Sequence, residues 1–237
     1  MDFKEKMVAL FNKYGIELSP KQAEMFEIYK NELVEWNNIH NLTAITDDDG
    51  IMIKHFLDSA LPYKEIEDGA TVIDMGTGAG FPSVPLMILN NTLKFTLVDS
   101  VDKKLNFVRH IVVKLGFDSV NIIHSRCEDL AKNSEYREKY DYSVARAVSS
   151  LTTLMEYTIP FVKVGGKLVC YKGSSYQEEV DSATNTFKVL KADITKVVDY
   201  PVEEMEATRY ALVICKKGTT DVKYPRGMNK PRLKPLN

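Results

Sequence analysis

Apolar residues in the first sixty positions recur at steps of three and four. Phe3, Met7, Leu10, Phe11 and Tyr14 form one stripe, which predicts an amphipathic helix stopped by Gly15. Ser19-Pro20 reads as an N-cap and first-turn pair. Met25, Phe26, Tyr29, Leu33 and Trp36 continue as the buried face of a second helix. Phe26, Tyr29 and Trp36 could stack nucleobases, but their helical spacing favours the core. Asn37 to Thr43 has no period and reads as a loop. Ile51 to Leu61 predicts a third helix, ended by Pro62.

After Gly69 the rhythm changes to strand, helix, strand. Strands are expected at 71–75, 94–98, 119–124, 140–145, 166–171, 191–199 and 208–215, with helices near 82–90, 101–115, 150–163 and 175–188. Such alternation means a mostly parallel sheet with helices on both faces. Right-handed crossovers then gather the strand-to-helix loops at one edge, where a ligand sits. Only the loop Pro201 to Glu206 joins the last two strands, so they are expected to form an antiparallel hairpin. The expected fold class is α/β, with an N-terminal helical segment (1–65), a Rossmann-like core (66–217) and a C-terminal segment (218–237).

The chemistry lies where two of these strands end. Thr71-Val-Ile-Asp-Met-Gly-Thr-Gly-Ala-Gly80 runs from a strand into Asp74 and the glycines Gly76, Gly78 and Gly80. Phe95-Thr-Leu-Val-Asp99 ends the next strand in an acid. Glycines let backbone N–H groups come against a ligand, and an acid at the next strand tip reaches ribose hydroxyls. A dinucleotide fingerprint spaces its glycines as G-x-G-x-x-G. Here the third comes one place early, Phe81 and Pro82 follow, and Asp74 would repel a pyrophosphate. Asp74 would hold an ammonium group instead, so the pocket suits S-adenosylmethionine. The bland alternative is a tight strand-to-helix turn with no ligand.

Composition narrows the class. The 237 residues are 44% hydrophobic and 27% charged with a net charge of −2, as in a soluble globular protein. No apolar run is long enough to span a bilayer and no secretory h-region is present, so a cytoplasmic protein is expected. Cys127, Cys170 and Cys215 lack metal-ligand spacing and read as reduced thiols. Charge is uneven. Residues 216–237 carry Lys216, Lys217, Lys223, Arg226, Lys230, Arg232 and Lys234 against Asp221 alone. This basic tail is expected either to track phosphates, away from the cofactor pocket, or to be a solvated end.

Seven blocks together resemble one family. They are Trp36-Asn-Asn-Ile-His-Asn-Leu-Thr43, Lys54-His-Phe-Leu-Asp-Ser59, Asp74 to Pro82, Val98-Asp-Ser-Val-Asp-Lys-Lys104, Ser143-Val-Ala-Arg-Ala-Val148, Lys172-Gly173 and Tyr224-Pro-Arg226. The chain resembles the small-subunit ribosomal RNA methyltransferase G family, also known as glucose-inhibited division protein B. The resemblance implies a class I S-adenosylmethionine-dependent methyltransferase with a seven-stranded sheet. It implies methylation of N7 of one guanosine in the 530 loop of 16S rRNA, with 16S rRNA or a small-subunit assembly particle as partner. A monomer and no membrane association are expected. Ser83 stands where many members have glycine, which touches the detail of that turn.

The implied cofactor residues are Asp74, Gly76, Gly78, Gly80, Phe81, Asp99, Cys127, Glu128 and Arg146. The bland reading of Glu128 is a helix-start acid favoured by the dipole. Arg146 is open between a contact to cofactor or substrate and a structural salt bridge, with Asp74 as one partner. His55, Lys172, Arg209, Lys223 and Arg226 are the implied substrate or RNA residues. His55 and Asp58 share a helix face, which would cover the pocket or order the N-terminal segment. Guanine N7 attacks with a free lone pair, so no catalytic base is nominated and proximity with electrostatics suffices. The competing readings are a small-molecule or protein methyltransferase, a nicotinamide oxidoreductase, opposed by the glycine spacing, and a non-catalytic RNA-binding protein.

Overall fold

Local chemistry sets the first boundaries in the computed structural model, which describes residues 1–146 and 149–237. Asp2 caps α1 (Phe3–Lys13) in a capping box with Glu5. Ser19 and Gln22 do the same ahead of α2 (Pro20–His40), with Pro20 in the first turn, where its missing N–H is not needed. α2 runs past the expected loop start at Asn37. The Asn37 carboxamide does not break the helix; it accepts from the Thr43 N–H at 2.8 Å, and Asn41 closes the helix in the left-handed region. The third helix begins earlier than its apolar pattern suggests, because Asp47 caps it through the Gly50 N–H. It comprises α3 (Asp48–Gly50), a π-helical stretch Ile51–Leu57, and α4 (Asp58–Ala60).

The sheet order is β3-β2-β1-β4-β5-β7-β6. Its strands are β1 (Thr71–Met75), β2 (Lys94–Asp99), β3 (Asn121–His124), β4 (Tyr140–Arg146), β5 (Val162–Lys172), β6 (Ala192–Val202) and β7 (Ala207–Lys216). Every pairing is parallel except those of β7, which runs antiparallel to β5 and to β6. The expected hairpin is therefore present, with β7 inserted between β5 and β6. β5 starts at Val162 rather than 166, because a short 3-10 turn (Ile159–Phe161) follows α8 (Leu151–Thr158). The apolar run across Ile159 to Val162 carries no period that would separate helix from strand.

The remaining helices are α5 (Ser83–Leu89), α6 (Asp102–Lys114), α7 (Cys127–Leu130), α9 (Tyr176–Ser182), α10 (Thr184–Leu190) and α11 (Lys230–Leu233). Ala183 interrupts the single helix expected over 175–188. None of the described helices is long and apolar enough to cross a membrane. The N-terminal helices share one core with the sheet: Met7, Phe11, Phe26 and Tyr29 are fully buried in the same cluster as Val72, Phe95 and Tyr171. Phe26 and Tyr29 are core residues, as their spacing indicates. The other face is covered by α8, α9 and α10.

The C-terminal segment is docked rather than solvated. Lys216, fully buried, donates to Glu138 at 2.6 Å and to the carbonyls of Ile159 and Val162. The Arg137 guanidinium donates to the carbonyls of Thr220, Asp221 and Tyr224. Arg226 is clasped through two oxygens by the fully buried Glu156 on α8, at 2.9 and 2.7 Å. A buried carboxylate needs such a bidentate partner.

Candidate functional site

β1 and β2 lie beside the point where strand order reverses, between β1 and β4, and the loops past their ends build the site. Gly76, Gly78 and Gly80 have φ of +82°, +60° and +95°, where L side chains are strained. The loop is stitched to β2. Gly76 N–H donates to the Val98 carbonyl at 2.8 Å, and Gly78 N–H donates to Asp99 Oδ2 at 2.9 Å. Asp99 Oδ1 accepts from the Val101 N–H, also at 2.9 Å. A carboxylate has about four acceptor positions, so Asp99 keeps capacity for a ligand diol. The last two glycines differ. A Cβ on Gly78 would meet open space, whereas one on Gly80 would come 2.7 Å from Val84 Cγ2 and 3.0 Å from the Tyr29 hydroxyl. Gly80 is needed for packing, and Gly78 for its positive φ.

A cavity of about 360 Å³ opens at this edge. It is lined by Met75, Gly76, Val98, Asp99, Ser100, Ser125, Arg126, Cys127, Glu128, Leu154, Tyr157, Asn229 and Arg232. Its size is that of a small-molecule site. Gly76, Asp99, Cys127 and Glu128 are brought together as expected residues. Burial and the neighbouring Glu128 push the Cys127 thiol up to about 12, so it stays protonated and is no nucleophile. Tyr157, Asn229 and Arg232 carried no motif. Only the fold shows that the basic tail is not apart from the pocket but forms one of its walls.

Asp74, Gly78, Gly80, Phe81 and Arg146 do not line this cavity. Asp74 is 1% exposed beneath the loop and accepts the Ser83 hydroxyl at 2.6 Å. The serine at the turn thus partners the strand-end acid. Burial raises the Asp74 carboxyl from 3.8 to about 7, against the Ser83 hydrogen bond, which lowers it. Because the folded state holds this proton more tightly than the unfolded chain, the stability it confers is present below about pH 4 and lost as pH rises through about 7. Asp74→Asn should therefore gain melting temperature relative to wild type between pH 5 and pH 8, on the order of 5 °C. Parallel melting curves across that range would refute the raised carboxyl.

Arg146 ends β4 inside a polar cluster, and its ion-pair partner is Asp58 rather than Asp74. Its Nη1 donates to Asp58 Oδ2 at 3.0 Å and to the Lys54 carbonyl at 2.7 Å. Arg209 Nε donates to Asp58 Oδ1 at 2.7 Å. Arg146 Nη2 lies 3.2 Å from His55 Nδ1. Since a guanidinium only donates, Nδ1 accepts and the imidazole proton sits on Nε2, which donates to Thr43 Oγ1 at 2.7 Å. Burial and the Arg146 charge hold His55 down at about 4, so it is neutral at physiological pH. The Phe81 ring is stacked between His55 at 4.5 Å and Tyr29 at 5.3 Å, with the Arg146 guanidinium 5.1 Å from its centre. His55, Asp58 and Thr43 thus lock the N-terminal helices onto the glycine loop.

The other expected RNA residues are distributed unequally. Lys172 is buried and pairs with Glu179 at 2.7 Å. Arg209 and Arg226 are held by Asp58 and Glu156. Lys223 is exposed and meets Asp221 at 3.4 Å. Ala147 and Val148, the end of the Ser143–Val148 block, lie outside the described residues.

Residues 22–208 match the family model described as rRNA small subunit methyltransferase G. A protein of Lactobacillus acidophilus named ribosomal RNA small subunit methyltransferase G is 40% identical over 98% of this chain and 99% of its own length. One of the same name from Alkaliphilus metalliredigens is 41% identical over 94% of both chains. Among solved structures, a SAM-dependent methyltransferase of Aquifex aeolicus superposes with a TM-score of 0.54 at 18% identity, covering 71% of this chain and 94% of that one. The ribosomal protein L11 methylase of Lactobacillus delbrueckii subsp. bulgaricus gives 0.52 at 14% identity, covering 73% and 81%. These two share the fold.

Proposed function

We propose, starting from the fact that this chain belongs to the rRNA small subunit methyltransferase G family, that it methylates N7 of one guanosine in the 530 loop of 16S rRNA. It is a methyltransferase, and its methyl donor is S-adenosylmethionine. The observation that supports the reading most is the cavity at the ends of β1 and β2. There Asp99 has acceptor positions to spare and Gly76 brings backbone to the wall. These residues fit a ribose and an adjoining base. Asp99 would accept both ribose hydroxyls, and Cys127 and Glu128 would border the adenine.

When bound, the donor supplies an electrophilic methyl group on a sulfonium. Guanine N7 offers a free lone pair, so no proton has to leave and no residue is needed as a base. The chain's contribution is alignment in a site shielded from water, with the loop held rigid by Asp99 below and Phe81 behind. The exposed cations Lys223, Lys230 and Lys234 remain available for phosphates. On this reading the protein works in the cytoplasm, where small-subunit rRNA is assembled.

The test is mass mapping of 16S rRNA nucleotides after incubation with the protein and S-adenosylmethionine, using naked 16S rRNA and small subunits in separate arms. Rescue of a 7-methylguanosine in the 530 loop, in RNA from cells lacking the gene, is expected in at least one arm. Methylation elsewhere, or in neither arm, would refute the assignment.

A further inference from the structure

The chain carries seven arginines, and five have their guanidinium groups engaged by other groups of the protein. Arg109 meets Asp102 and Asn106, and Arg137 holds backbone carbonyls. Arg146 and Arg209 share Asp58, and Arg226 is clasped by Glu156. Arg126 and Arg232 form no ion pair or side-chain hydrogen bond among the described residues, and both line the same cavity as Asp99 and Glu128. Arg126 comes from the turn after β3 and Arg232 from α11 in the docked tail.

We propose that Arg232, with Asn229, forms the outer wall for the nucleoside end of the methyl donor, so that the C-terminal segment is a cofactor-binding element. This rests on the methyl-donor reading above. With ribose at Asp99 and the base beside Cys127 and Glu128, the base extends toward Tyr157, Asn229 and Arg232. A planar guanidinium stacks on an aromatic ring and donates to its nitrogens, and the Asn229 carboxamide both donates and accepts.

The wall is held by the protein's own contacts. Thr153 on α8 donates to the Pro231 carbonyl at 2.9 Å, and the Tyr157 hydroxyl lies 3.4 Å from Asn229 Oδ1. Met228 and Asn229 turn the chain inward with φ of +58° and +56°. A wall already ordered loses little entropy on binding. A phosphate is the other ligand an arginine pair could hold. The carboxylates of Asp99 and Glu128 in the same cavity would repel it, whereas a neutral nucleoside suffers no such penalty.

Calorimetry on the full chain with S-adenosylhomocysteine and 5′-methylthioadenosine tests the assignment. Arg232→Ala should weaken both ligands by the same factor, about tenfold, because the lost contact lies on the nucleoside they share. Lys234→Ala, which removes a tail cation outside the cavity, should leave both affinities unchanged. Affinity of Arg232→Ala for 16S rRNA should equal that of wild type. Arg232 is exposed, so the variant should fold, and its melting temperature checks this. Unchanged nucleoside affinity in Arg232→Ala, while Asp99→Ala loses it, overturns this inference alone. Loss of RNA affinity without loss of nucleoside affinity assigns the arginine to phosphate and overturns it too. A wild-type chain that binds neither nucleoside overturns the methyl-donor reading together with the inference.

Discussion

Asp99→Ala should lower affinity for S-adenosylmethionine on the order of a hundredfold or more. Two effects act together. In the proposed site the carboxylate would accept from two ribose hydroxyls, and each charge-assisted bond contributes about 1.5–3 kcal/mol; tenfold in affinity is about 1.4 kcal/mol. The same carboxylate also accepts from the N–H groups of Gly78 and Val101, so its removal frees the glycine loop from β2 before any ligand binds. Asp99→Asn separates the two effects. Its amide oxygen can keep one backbone bond while the charge is gone, and an intermediate loss is expected. Calorimetry on folded variants reads the result, and wild-type affinity in Asp99→Ala would remove Asp99 from the ribose site.

The largest effect on stability is expected from Asp58→Ala. Asp58 is buried and is the shared counter-charge of Arg146 and Arg209. Removing it leaves two guanidinium groups facing each other with little water to screen them. Breaking a buried pair from one side costs about 3–5 kcal/mol, which for a chain of this size lowers the melting temperature on the order of 10 °C. The double variant Asp58→Ala with Arg146→Ala should recover part of that loss, because one stranded charge has gone. Additive losses in this cycle, or a melting temperature for Asp58→Ala within about 2 °C of wild type, would show that the ion pairs are incidental. Where the cluster is broken, the glycine loop should loosen with it, since Phe81 rests against Arg146 and His55.

Much of the fold could be read from the chain because it depends on short-range chemistry. The β1 and β2 strands, the positive-φ glycines and the acid that ends β2 occupy contiguous stretches whose φ/ψ preferences and period are local. Their juxtaposition follows from the handedness of the crossover. The helix cap at Ser19 is local for the same reason. Boundaries failed where an apolar run carried no period, as at Ile159 to Val162, or where a polar side chain served a neighbour, as Asn37 does for Thr43.

By itself, then, the sequence determined the α/β class, the glycine loop after β1, the acid that ends β2 and the family. Only the tertiary structure decided the partners of the charges. Arg146 found Asp58 on a π-helical stretch's flank rather than the nearby strand-end Asp74, and Asp74 found Ser83. The tail, whose composition suggests a phosphate-tracking segment or a solvated end, is bolted by Arg226 to Glu156 and turns Asn229 and Arg232 into the pocket. The reason is physical. Periodicity and turn chemistry act over a few residues, but which of many charges becomes an ion pair depends on which carboxylate the packed core has stripped of water nearby. That is a property of the folded surface and not of any segment of the chain.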